Sequence, residues 1–86
     1  MTLDLPFWVK QRQLKVEEIA TGTYRITGPN MPEAVIGVRM TDDLRWQAWL
    51  RDKIDGPDVE ASAVTYDNAR EALAVAFEMY RERYVN

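Results

Sequence analysis

Between Thr23 and Arg51, apolar side chains recur at every second position in three successive runs. TYRIT (23–27) sets Tyr24 and Ile26 against Thr23, Arg25 and Thr27. EAVIGVRM (33–40) sets Ala34, Ile36, Val38 and Met40 against Val35, Gly37 and Arg39. LRWQAWLR (44–51) sets Leu44, Trp46, Ala48 and Leu50 against Arg45, Gln47, Trp49 and Arg51. Period two is the repeat of a strand with one buried face. Turn chemistry separates the runs: GPNMP (28–32), Asp42-Asp43, and Asp55-Gly56-Pro57. Consecutive strands joined this way read as an antiparallel meander, and its apolar face requires a cover.

The cover is legible at the C-terminal end. In DNAREALAVAFEMYRERY, Ala69, Ala72, Leu73, Ala76, Phe77, Tyr80 and Tyr84 recur at helical spacing, with Glu71, Glu78, Arg81 and Glu82 on the opposite side. Asp67 or Asn68 can cap this helix, and Glu71 stands three residues after Asn68, as a capping box requires. VEASAVTY (59–66) reads as a short strand feeding directly into it. LKVEEIA (14–20) reads as a further strand or as the first half of a bulged one. The expected fold is a single α+β domain, residues 1–86, in two layers. An antiparallel meander of three to four strands (14–66) carries one C-terminal helix (67–84) on one face. Leu73, Phe77 and Tyr80 then meet Tyr24, Ile36, Val38, Trp46 and Leu50.

Residues 44–51 admit a second reading. Thr41 is a plausible helix cap, and Asp42 and Asp43 suit a first turn. As a helix, however, Leu44, Trp46, Ala48, Trp49, Leu50 and Ile54 scatter around the circumference, so the strand is preferred. The strand sends Trp46 into the core and Trp49 outward.

Residues 1–13 form an apolar arm in which Leu3, Leu5, Phe7 and Val9 alternate around Pro6 and Trp8. Such a segment is costly to leave in water. It reads either as an edge segment tucked against its own domain or as an interaction arm, through Leu5, Phe7 and Trp8, that docks on a second copy.

Composition narrows the chemistry. The 86 residues include no cysteine and no histidine. That removes disulfides, thiolate and imidazole metal ligands, and the most common nucleophile and general base. Ser62, the single serine, has no imidazole to activate it. Glu17 and Glu18 are adjacent and point to opposite faces of a strand, so they do not form a carboxylate pair. DKIDGPDVE (52–60) lacks the ligand spacing of a calcium loop and reads as a polar turn. A non-enzymatic chain without cofactor or metal is expected. Absent cysteine, an N-terminus in the wrong order for secretion and no apolar run of about 20 residues point to a cytoplasmic protein with no membrane partner.

Function then rests on the sheet face opposite the helix. Alternation collects Arg25, Arg39, Arg45, Gln47, Trp49 and Arg51 there, four of the chain's eight arginines around one tryptophan. Arginine and tryptophan are enriched at protein interface hot spots, which implies a protein partner or self-association, including a homodimer. The same residues can grip phosphates and stack on bases, so nucleic acid is the alternative partner. The plainest reading is a solvated face covered by arginine stems. A net charge of −3 and a pI near 4.8 argue against a generic polyanion binder.

Strands followed by a helix that opens with an aromatic-x-x-Ala step (Tyr66 to Ala69) and continues through Ala72 and Ala76 give an element order similar to that of small DNA-binding domains of the integrase arm-binding type. The resemblance spans about residues 23–84 and implies DNA read from the sheet face. It lies in element order alone, and the acidic balance departs from the basic composition of such domains.

Overall fold

A computed structural model describes residues 5–85. The elements run α1 (Phe7–Gln11), β1 (Lys15–Ala20), β2 (Thr23–Gly28), β3 (Met31–Met40), β4 (Trp46–Arg51), β5 (Asp58–Ala61) and α2 (Ala69–Tyr80), and α2 continues into a π-helical turn at Arg81–Val85. All five strands pair antiparallel in chain order, β1-β2-β3-β4-β5. This is the expected α+β meander with a helix on one face, with five strands instead of three or four.

The extra strands come from the two segments whose alternation is weakest. Residues 15–20 make a complete β1 whose register slips between Glu18 and Ala20, which is where the period-two pattern breaks. At the other edge, β5 starts one residue early, at Asp58, and ends at Ala61, so only 59–61 of the expected 59–66 strand belong to it. The chain then leaves the ladder. The Ser62 hydroxyl accepts from the Ala48 amide and donates to the Val64 carbonyl, and Tyr66 returns alone to bridge Trp46. GPNMP tightens to Pro29-Asn30, since Gly28 and Met31 are already paired and Asn30 takes the left-handed conformation (φ 59°).

One face of the sheet carries the core. Ile26, Ala34, Ile36, Ala48 and Leu50 are fully buried there, in one cluster with Ala76, Phe77, Met79 and Tyr80 of α2. Helix α2 packs on β3 and β4, and alanines on both surfaces fit between the large rings. Asn68 is the expected N-cap, and Glu71 answers its side chain instead of its backbone amide, so the reciprocal half of a capping box is replaced by a side-chain pair. Asn68 accepts from the Glu71 amide at 2.9 Å, and its side-chain amide donates to Glu71 Oε1 at 3.3 Å. Asp67 is not the cap. Met79 is buried although it lies off the expected stripe. In the π-helical turn, Tyr84 sits 5.1 Å from the Tyr80 ring and donates its hydroxyl to Asp52 at 2.9 Å.

The N-terminal segment departs from its expected shape. Leu3 lies outside the described residues, and Phe7–Gln11 is helical, not extended. Trp8 stacks on Tyr80 (centroids 6.1 Å apart, planes 8° apart) and meets Phe77 edge-on at 6.4 Å. Val9 is buried beside it and Leu5 packs against the same cluster, whereas Phe7 is 78% exposed. The reason is geometric. Neighbouring residues on a strand point to opposite faces, but a helical turn lets the adjacent Trp8 and Val9 enter one core. The segment therefore packs on its own domain, with Trp8 inside. No helix among the described residues is long and apolar enough to cross a membrane.

Candidate interaction face

The register places the predicted residues on the face away from α2. Arg25 pairs with Val35, Val35 with Arg51, Gly37 with Trp49, and Arg39 with Gln47. Arg25, Arg39, Gln47, Trp49 and Arg51 thus share this outer face. Arg45 precedes β4 and leaves the group. Its guanidinium bonds the Thr65 hydroxyl (2.7 Å), the Thr65 carbonyl (3.0 Å) and Asp67 (2.6 Å), tying the entry of β4 to the entry of α2.

The two tryptophans of β4 reverse the expected burial. Trp46 does lie on the helix side of the sheet, but at its margin and only half-buried. Trp49 lies on the outer face and is 5% exposed. The cause is Gly37, its cross-strand partner. A Cβ at Gly37 would stand 2.2 Å from the Trp49 ring, so the missing side chain is the space the indole fills. Arg51 closes the stack from above, its guanidinium carbon 4.3 Å from the ring centroid. Thr23 and Val35 are buried on the same face, so it holds a small second core.

Carboxylates hold the arginines. Asp58, entering β5, accepts from Arg51 Nε at 2.8 Å and from Arg39 through its other oxygen. Arg51 also donates to the Ile54 carbonyl at 2.9 Å. Arg39 Nε donates to Gln47 at 3.0 Å, and Gln47 passes the chain on to the Ser62 carbonyl, again at 3.0 Å. Arg25 pairs with Glu17 at 3.2 Å and stands 3.9 Å from Glu33. Asp58, Glu17, Glu33 and Gly37 therefore complete the face, and the sequence reading missed all four as members. Gly37 had a signal, as the lone glycine in a run of β-branched residues. Asp58 opens β5, far along the chain from Arg39, and the β4–β5 pairing, which sets it opposite Arg51, brings them together.

Asp58 makes the face pH-sensitive. The bonds from Arg51, and next those from Arg39, hold its carboxyl below the usual aspartate value. A lowered folded-state pKa stabilises the fold above the unfolded value of ~3.9, and that contribution disappears as pH falls through the folded value. Urea melts at pH 7 and pH 3 test this. Asp58→Asn is expected to be less stable than the parent at pH 7, with the gap closing at pH 3. A gap that stays constant would remove Asp58 as the source.

One further concavity, about 390 Å³, lies between α1 and the end of α2, lined by Phe7, Trp8, Gln11, Arg12, Glu78, Arg81 and Val85. It is open and lies on the helix side, apart from the arginine cluster. Comparison of the chain with protein-family models, with curated proteins and with solved structures returned no match.

Proposed function

We propose that this chain is a cytoplasmic, non-enzymatic interaction module that docks a folded protein against the outer face of its sheet. The observation that carries the reading is the pre-ordered state of that face. All helices of the described residues lie on the other side, and the outer arginines are fixed by Asp58, Glu17, Glu33 and Gln47 around a buried Trp49. Side chains already held in place lose little entropy when a partner arrives, which is the main cost of docking long polar residues. A surface of interspersed positive and negative groups offers matched contacts to another protein surface. A polyanion gains less, because gripping phosphates first requires breaking carboxylate pairs.

A photoreactive residue at Glu33, on the outer face, compared with one at Ala74, on the exposed side of α2, tests the proposal in cells. A protein crosslinked from position 33 and not from 74, and lost in Arg39→Ala/Arg51→Ala with circular dichroism unchanged, is the expected result. Equal capture from both positions, or none, would overturn it. So would tight, salt-sensitive binding of a DNA or RNA duplex that the same double variant abolishes, since that assigns the face to nucleic acid.

A further inference from the structure

The sheet has two edges, and they are not equivalent. Among the described residues no element lies beyond β1, a strand of six residues, or beyond β5, a strand of four. Alternate amides and carbonyls of an edge strand point away from its only neighbour and can pair with another chain. Charged side chains usually discourage this. In β1 they are arranged so that they discriminate between partners.

Lys15 and Glu17 project to the outer face, as the Glu17–Arg25 ion pair fixes, while Val16 faces the helix side opposite Ile26 and packs against the core. When two copies meet edge to edge in antiparallel fashion, a two-fold axis stands perpendicular to the joined sheet, and one residue pairs with itself on that axis. Centring on Lys15, Glu17 or Glu18 sets like charges directly opposite each other, which destabilises a pair of strands. Centring on Val16 sets Val16 against Val16 and forms two Lys15–Glu17 ion pairs between copies. In that register the valines extend the helix-side core across the axis.

The β5 edge has no equivalent solution near its middle. Centring there on residue 58, 59 or 60 opposes Asp58 to Asp58, Asp58 to Glu60, or Glu60 to Glu60. We propose that the partner of the β1 edge is a second copy of this chain, paired antiparallel through β1 with Val16 on the two-fold axis, giving a continuous ten-stranded sheet. The inference does not depend on the role of the outer face, although the dimer would set two such faces side by side.

Charge-reversal variants test it by analytical ultracentrifugation. The parent is expected to dimerise, and Lys15→Glu and Glu17→Lys each to weaken the dimer by about tenfold or more, because attractive cross-strand pairs become repulsive. An equimolar mixture of the two variants is expected to restore dimers. One strand then carries Glu at 15 and 17 and the other carries Lys at both, so both cross-strand pairs are attractive again. A parent that stays monomeric at about 0.5 mM, well into the range of weak interfaces, overturns the proposal. A dimer indifferent to both substitutions overturns it as well, placing association elsewhere. Glu17→Lys also faces Arg25, so hydrogen exchange on the parent provides an arm without substitutions. Protection of β1 amides, and not of β5 amides, is expected to rise with protein concentration, and concentration-independent exchange at β1 counts against pairing.

Discussion

Trp8→Ala is expected to destabilise the fold by about 3–5 kcal/mol, the range for removing a large aromatic ring from a core. In a domain of this size, that lowers the melting temperature on the order of 15 °C or more. The size of the effect follows from position. Trp8 is 7% exposed, stacked on Tyr80 and edge-on to Phe77, so its removal leaves a cavity between α1 and α2. Its indole N–H is buried without a hydrogen-bond partner among the described residues, so the loss is one of packing and not of a polar contact. Phe7→Ala, one residue earlier, is expected to change stability by less than about 0.5 kcal/mol, since that ring is in solvent. The Trp8→Ala deficit should not vary with protein concentration. A deficit that shrank on dilution would mean that Trp8 packs on a second copy, since stabilisation by association is lost as the concentration falls.

Gly37→Ala is expected to cost about 2–3 kcal/mol, at the upper end for overpacking. The new methyl group meets the Trp49 ring at 2.2 and 2.6 Å and the Gly22 carbonyl oxygen at 2.9 Å. The ring cannot move outward without breaking its contact with Arg51, and the carbonyl is backbone. Gly28 is a useful control. There the added carbon meets only Leu14, at 2.4 Å from the end of a flexible side chain, so Gly28→Ala should cost clearly less. Urea melts of both variants read the difference. In a Trp49→Leu background the Gly37→Ala cost should shrink, because the two substitutions act on one contact and are not additive. Equal costs in both backgrounds would separate Gly37 from Trp49.

These two positions also mark where reading the sequence succeeds and where it stops. Alternation identified β2, β3 and β4 and the faces of their central residues, but not their ends: Met40 is 52% exposed, and Leu44 lies before β4 in the left-handed conformation (φ 63°) and is 74% exposed. It could not tell face from exposure. Trp49 points away from α2 as expected, yet it is buried, because its neighbour across the ladder is glycine and the next cation closes over it. The N-terminal segment failed for another reason. Leu5, Phe7 and Val9 alternate like a strand, but the pair that matters is Trp8 with Val9, and adjacency suits a helical turn. The arginines of the outer face were visible from sequence. Their carboxylate partners were not, since Asp58 is nineteen residues from Arg39 and no local period connects them.

Strand order that copies chain order has a consequence during synthesis. Each hairpin can close as soon as its second strand leaves the ribosome, because every ladder joins sequence neighbours. The row formed by Ile26, Ala34, Ile36, Ala48 and Leu50 shares its core with Trp8 and Val9, which are made first, but most of its cover, Ala76, Phe77, Met79 and Tyr80, comes after the sheet. A nascent chain that has finished its sheet therefore carries a partly wetted apolar face until α2 (Ala69–Tyr80) emerges. During that delay the half-made protein is a substrate for chaperones and a hazard to its own neighbours on the same message.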